Sequence, residues 1–341
     1  RTEHHTKSKK ERRKEERNNF CLHLLGFSVE GRIPDPHTLV MMPSSRTLWS
    51  VVAAAQAALW FFALPPLCKP HWERVWALSP GPLVSQVILN QLAIIYFIGY
   101  TLVMLPIYHG NYRFFEQYKI SDKPWAWRSD KQEERDAFWA LSARSVKLFC
   151  FNFGVLVPVL TVGKFFVLGD NMSFGIADWP SYPTLLRDNL ALTLVHEFGF
   201  YWCHRLAHHP KLYRFHKVHH EYKQNTVLAS QHEHPIDYVV TIATPALLAV
   251  CAVAPHSFTL FQWIAWLIMA NNDDHAGYAF PWSPVRWFPF AAATDQHEFH
   301  HSKNMGCFAS KLGIYDKMFN SEEPYCKWRA ARDAKASLKV E

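Results

Sequence analysis

The chain has 341 residues, 49% hydrophobic and 15% aromatic, with a formal net charge of +7. That length admits two domains, but charge gathers in a few stretches and apolar residues in others, which argues for a membrane protein. No glycine-rich phosphate loop, nucleic-acid module or internal repeat is visible, so nucleotide-driven and nucleic-acid-binding classes are set aside.

Residues 1–46 form a basic cytosolic tail in which TKSKKERRKEER is a solvated charge run. Such a run is either disordered or drawn to anionic cytoplasmic lipid. The chain opens on Arg1, so its true N-terminus is expected upstream, and no signal-peptide pattern is visible. Residues 47–189 read as a transmembrane region. Leu48 to Leu67 and Leu83 to Tyr108 are uncharged and meet the length of about 20 residues that a span needs. Between them CKPHWERVWALSPGP reads as an interfacial loop. Residues 109–144 carry charges of both signs and read as a cytosolic loop. Ser145 to Leu168 is a third span, whose Lys147 and Lys164 snorkel outward. Leu185 to Cys203 is a fourth and the least hydrophobic. A fifth stretch, Tyr238 to Ala254, continues past Pro255-His256 into Ser257 to Ala270, and the two pieces read as a short hairpin that dips into the membrane and returns.

Lysine and arginine counts set the orientation. Residues 1–46 hold ten and residues 109–144 hold seven, whereas the loop from Cys68 to Pro82 holds two and Phe165 to Leu186 none. The expected architecture is therefore an all-α integral membrane protein with about four transmembrane helices in two hairpins plus the dipping hairpin. Its histidine-rich segments form a helical cap on the cytosolic face, and an even number of crossings is needed to keep them together.

Fourteen of the twenty histidines lie between His196 and His301. They cluster as HRLAHH (His204, His208, His209), HKVHH (His216, His219, His220) and HEFHH (His297, His300, His301), with His275 in DDHAGY. A lone histidine is usually a hydrogen-bonded core residue. Pairs repeated at helical spacing are different, because i and i+3 or i+4 share a face. Neutral imidazole suits iron, zinc and copper, and one metal needs about four ligands at most from protein. Ten candidates point to two metal ions in one pocket. His234 is a weaker candidate, its neighbour Pro235 being enough to explain a turn there. Glu197, Asp237, Asp274, Asp295 and Glu298 are placed either to accept imidazole N–H groups or as ordinary helix-end carboxylates.

The order and spacing of these clusters resemble the three histidine boxes of the fatty acid hydroxylase/sterol desaturase superfamily. HRLAHHPKLYRFHKVHHEY, the His234-Pro235-Ile236-Asp237 step, HAGYAFPW, HEFHH and GCFASKLGIYDKMF are most similar to C4-methylsterol oxidases, and the likeness covers roughly residues 190–320. The resemblance implies a cytosolic di-iron cap, with a hydroxylase-like catalytic domain at 190–320 and a polar C-terminal tail at 321–341. It implies O2-dependent oxidation of a sterol C4-methyl group in the endoplasmic reticulum membrane, with two iron ions held by His204, His208 or His209, His216, His219, His220, His275, His297, His300 and His301. Helical geometry favours His208 beside His204, while spacing in related hydroxylases also selects His209. Some relatives carry a histidine four residues before His275, where this chain has Asn271, so the second iron is expected to have fewer histidines or a water. No flavin or nicotinamide fingerprint is present, and the His-Pro steps at His209 and His234 lack the glycines of a cytochrome b5 motif. The resemblance thus implies electrons from NAD(P)H through a separate cytochrome b5 and its reductase, an acidic partner suited to a basic face. The alternatives are another lipid hydroxylase or desaturase on this scaffold, acting on a fatty acyl, sphingoid or other sterol position, and a silent metal-binding membrane protein.

The seven cysteines form no C-x-x-C and read as reduced core residues. Asn171-Met172-Ser173 is a glycosylation sequon on the expected lumenal loop.

Overall fold

A computed structural model describes residues 43–78, 82–169, 172–283, 290–292 and 294–337. The basic tail up to residue 42 and Asn171 of the sequon lie outside these. Among the described residues there is no strand, only the isolated bridges Lys119–Tyr278 and Ala291–Leu312. The main helices are α1 (Thr47–Ala77), α2 (Pro82–Gly110), α3 (Gln132–Leu168), α4 (Tyr182–Ala207), α5 (Pro210–His216), α6 (Pro235–Val253), α7 (Ser257–Asp274), α8 (Thr294–Lys303), α9 (Ile314–Met318) and α10 (Glu323–Ser337).

Four of these rods run through prolines that would ordinarily end them. Proline has no N–H to donate and crowds the carbonyl four residues back. α2 carries Pro106 near its end without a change of helix type. The other three widen into a π turn just ahead of a proline: Leu59–Ala63 before Pro65, Asn152–Leu156 before Pro158, and Tyr238–Ala243 before Pro245. The helices therefore outlast the apolar runs visible in the sequence. α1 continues through Pro66 and Pro70 to Ala77, so most of the expected interfacial loop is helical. α3 begins at Gln132, and the charged end of the expected cytosolic loop is its first turns. With 37 residues, α3 is longer than the bilayer's hydrocarbon core of about 30 Å requires.

Four helices are long and apolar enough to cross a membrane: Thr47–Ala77, Gln86–Gly110, Gln132–Leu168 and Pro235–Val253. The first three contain the expected spans. The fourth differs from expectation, since the stretch from Leu185 to Cys203 is not in this set and the stretch from Tyr238 is. Asp188, Asn189, His196 and Glu197 lower the hydropathy of α4, and all four are buried inside the protein. α6 gains length because its helix starts at Pro235 and passes Pro245 through the π turn.

Large apolar side chains such as Ile95, Leu102, Val159, Phe166 and Val167 face outward from the long helices, as lipid-facing positions do. Inside, polar side chains tie helices together. Asn189 donates to Gln262 at 3.2 Å, Gln262 donates to the Trp60 carbonyl, and Trp263 Nε1 donates to Thr193 at 3.3 Å. These bonds join α4 to α7 and α7 to α1. α4 and α6 pack closely at Gly199, where a Cβ would lie 3.3 Å from Pro245 Cα.

The segment after His275 closes against the α2–α3 connection through an aromatic cluster of Tyr108, Trp125, Tyr278 and Phe280. Tyr108 Oη donates to the Ala276 carbonyl at 2.8 Å, Ile120 N to Gly277 O at 3.0 Å, and Ala279 N to Tyr118 O at 2.8 Å. Only glycine fits at 277. Its φ is +73°, and a Cβ would lie 2.6 Å from the Asn225 carbonyl and 2.7 Å from Trp125.

Candidate metal centre

Nine histidines converge in two groups. His204, His208, His216, His220 and His300 form one, and His219, His275, His297 and His301 the other, with ligand nitrogens within 4.8 Å of one another in each. Helix geometry does the sorting. His204 and His208 end α4 one turn apart, and His297 and His301 are one turn apart on α8. Adjacent residues on a helix point about 100° apart, so His300 leaves the face of His301 and joins the first group. The pair His219 and His220 divides likewise on a single 3₁₀ turn, His219–Glu221.

Backbone carbonyls and one carboxylate set the ring orientations. His204 Nδ1 donates to Phe308 O at 2.9 Å, His300 Nδ1 to Gly306 O at 2.6 Å, and His275 Nδ1 to Asn271 O at 2.7 Å. His216 Nδ1 lies 3.0 Å from both oxygens of Asp237. Carbonyls and ionised carboxylates only accept, so these rings carry their proton on Nδ1 and present a bare Nε2. The bare atoms then face one another. His275 Nε2 is 2.9 Å from His297 Nε2, 3.1 Å from His301 Nε2 and 3.3 Å from His219 Nε2. In the other group His216 and His220 Nε2 are 3.1 Å apart, and His208 and His300 Nε2 3.2 Å. One lone pair on His275 cannot serve three neighbours, and buried His204 Nε2 has no hydrogen-bond partner among the described residues. Converging imidazole lone pairs fit a cation in each group.

Burial reinforces this. It holds His204, His219, His220, His297, His300 and His301 well below the ordinary histidine value, and neighbouring histidines add to the effect. Burial lowers His208 and His275 to about 3. These rings are neutral near pH 7, which is the metal-binding form.

The remaining candidates lie elsewhere. His209 is exposed and caps α5, its Nδ1 accepting from Lys211 N at 3.4 Å, so the structure brings His208 and not His209 to His204. His234 caps α6 in the same way, accepting from Ile236 N at 3.1 Å. In both His-Pro steps the proline opens a helix, which places the histidine at the cap rather than on the inner face. Asn271 adds no imidazole; its side chain donates to Ser230 O at 3.1 Å.

Among the five carboxylates, Asp237 contacts a box histidine. Glu197 instead accepts the backbone N–H groups of Lys311 and Leu312 at 2.8 and 2.9 Å. Asp295 accepts from Tyr325 Oη at 2.8 Å, and Glu298 from Asn225 N at 3.4 Å. Burial pushes Glu298 up to about 7. Asp274 forms a buried ion pair with Lys311. Replacing Asp237 by asparagine removes the negative acceptor while keeping its volume. Metal affinity in a chelator competition is expected to fall about 10–100-fold; unchanged affinity would show that Asp237 does not orient His216.

Sequence reasoning missed the strap Gly306–Asp316. Its carbonyls at Gly306 and Phe308 aim two rings, and Glu197 from α4 and Asp316 grip its amides, the latter accepting from Phe308 N and Ala309 N at 2.8 and 3.0 Å. Carbonyl acceptors leave no trace in side-chain identity. The likeness of this segment to a known box-following stretch was the one available signal.

The sequence model described as "Fatty acid hydroxylase" matches residues 189–321, a range that contains all nine histidines. The chain is 32% identical to a very-long-chain aldehyde decarbonylase of Oryza sativa, over 55% of this chain and 67% of that one. The chain belongs to the fatty acid hydroxylase family. Another family relative, methylsterol monooxygenase 1 of Rattus norvegicus, is 26% identical over 62% of this chain and 69% of its own. C-4 methylsterol oxidase of Schizosaccharomyces pombe is 30% identical over 47% of this chain, which spans just 56% of the yeast protein. No solved structure matches the chain.

A cavity of about 620 Å³ lies among α2, α3, α4, α6 and α7. Its walls are mostly apolar, with Phe153, Tyr238, Ile242, Leu247, Trp263 and Ile268 among them. His196, Phe200, Ser230, Gln231, Asn271 and Ser310 also line it. Phe200 stacks edge-on against His204 at 5.3 Å, so a single ring stands between the cavity and the first histidine group.

Proposed function

We propose that this chain is a membrane monooxygenase that oxidises the C4-methyl group of a sterol at a centre of two iron ions, with residues 190–320 as its catalytic domain. The carrying observation is the convergence of nine histidines in two groups beside an apolar cavity among the long helices. One ion would be held by His204, His208, His216, His220 and His300, the other by His219, His275, His297 and His301. When bound, the irons supply the oxygen chemistry: one atom of O2 enters a C–H bond and the other leaves as water, with two electrons and two protons. The chain's own residues do the rest. Carbonyls of Asn271, Gly306 and Phe308, with Asp237, keep Nδ1 protonated and Nε2 aimed inward. The apolar walls admit a lipid and exclude water.

The names of the rat and yeast relatives support a C4-methylsterol as the substrate. The rice relative, named for very-long-chain aldehydes, supports the second reading, a long-chain lipid in the same cavity. Lipid profiling after loss of the gene separates them. The expected result is accumulation of 4-methyl or 4,4-dimethyl sterols. Unchanged sterols with a fall in hydroxylated sphingolipids or fatty acids would retain the oxygenase and overturn the sterol.

Electrons would come from NAD(P)H through cytochrome b5 and its reductase, in the endoplasmic reticulum membrane with the centre facing the cytosol. The seven lysines and arginines of residues 109–144 support that orientation. Cysteines replacing Asp122, exposed in the 109–144 connection, and Asn304 are both expected to react with a cytosolic, membrane-impermeant reagent once the membrane is opened on that side alone. Lumenal labelling of either would overturn the orientation.

A further inference from the structure

Asn271 is a polar side chain on the wall of an apolar cavity, a placement that is costly within a membrane and calls for a partner. It lies one helical turn before His275, about 6 Å along α7, and its own carbonyl orients that histidine at 2.7 Å. The side-chain amide is fixed as well. Nδ2 donates to the Ser230 carbonyl at 3.1 Å. A carbonyl only accepts, so the amide cannot be turned the other way round. Ser230 is itself anchored, its hydroxyl lying 2.8 Å from both Val227 O and Asn272 Oδ1. This leaves Asn271 Oδ1 with no hydrogen-bond partner among the described residues, on a side chain that lines the cavity.

A fixed acceptor one turn from a metal-facing histidine can read a donor close to the carbon being oxidised. In a sterol the hydroxyl is on carbon 3, next to carbon 4. We infer that Asn271 is a specificity-determining residue whose Oδ1 accepts a hydrogen bond from the substrate's 3-hydroxyl, placing the neighbouring 4-methyl group toward the histidine centre. This inference rests on the sterol reading above. It explains why a histidine-rich site has an amide at this position. The carbonyl keeps the metal-side role, while the side chain faces the substrate.

The test uses the full-length protein, iron-loaded in lipid nanodiscs with cytochrome b5 and its reductase. It compares kcat/KM for a 4-methylsterol with that for its 3-deoxy analogue, which removes the hydroxyl without adding bulk. Wild-type protein is expected to prefer the hydroxyl about tenfold or more, the worth of one buried hydrogen bond. Asn271→Leu and Asn271→Ala, at iron content equal to wild type, are expected to bring the ratio to within about twofold by slowing the hydroxylated substrate alone. A preference retained in both variants would overturn the inference. So would equal turnover of the two substrates by wild type, which leaves the sterol reading standing. Turnover of neither would remove the sterol reading and this inference with it. The wild-type ratio needs no variant, so it decides the matter even if neither variant retains iron.

Discussion

Alanine in place of His216, His219, His300 or His301 is expected to abolish lipid oxidation while leaving the protein in the membrane. Two of these belong to each histidine group, so the set probes both candidate metal sites. Loss of a residue that merely orients a ligand costs about 10–100-fold, and removing the ligand itself is expected to exceed that. The four side chains are buried at the centre and none lies on the outward faces of the long helices, so insertion does not depend on them. Purified wild type is expected to carry close to two iron atoms, and each variant fewer. Zinc at one equivalent, without iron, from iron-replete cells would sink the two-iron assignment. Full activity in any of the four variants would remove that histidine from the ligand set.

Lys311→Met is expected to be the most destabilising change outside the ligands. Lys311 and Asp274 form a buried pair, with side chains 3% and 4% exposed. Taking away one member leaves the other charged and without its counter-ion, at a cost of about 3–5 kcal/mol. Thermal unfolding in detergent would register it. Replacing both, as Lys311→Met with Asp274→Leu, is expected to recover a good part of the loss, because an apolar pair of similar volume avoids desolvating two charges. A single variant as stable as wild type, or a double variant no better than the single, would show that the pair is not the source of the cost. Asp274 adjoins His275, so iron content reports whether the damage reaches the centre.

The histidine boxes were legible because helical spacing is a geometric rule, and the rule carried His204 with His208, His216 with His220, and His297 with His301. It did not show that His219 and His220 part company, since that depends on where a 3₁₀ turn meets two other segments. Pro210 held the answer to His208 against His209. A proline that opens a helix leaves the residue before it at the cap. The carboxylates misled more often. Glu197 reads as an imidazole acceptor from its position beside His196, but its oxygen is taken by the amides of Lys311 and Leu312, more than a hundred residues away in sequence. The spans show the same division. Hydropathy found three of the long apolar helices and counted α4 as a fourth, although its polar residues are turned inward to the cavity and the core. It read α6 as half of a dipping hairpin, because the apolar run begins at Tyr238 while the helix begins three residues earlier, at Pro235.

Those π turns have an effect on helical phase. Each inserts roughly one extra residue, and one residue is about 100° of rotation. In α3 and α6 the insertion sits at one end of the cavity wall, where Phe153 and Tyr238 are the first lining residues of each rod. The segments before and after each insertion are therefore out of step, as two gears on one shaft can be keyed at different angles. In α6 the residue just before the π turn is Asp237, which holds His216, and the turns that follow line the cavity. The residues that aim a histidine and those that face the cavity are, in such a slipped helix, mechanically uncoupled.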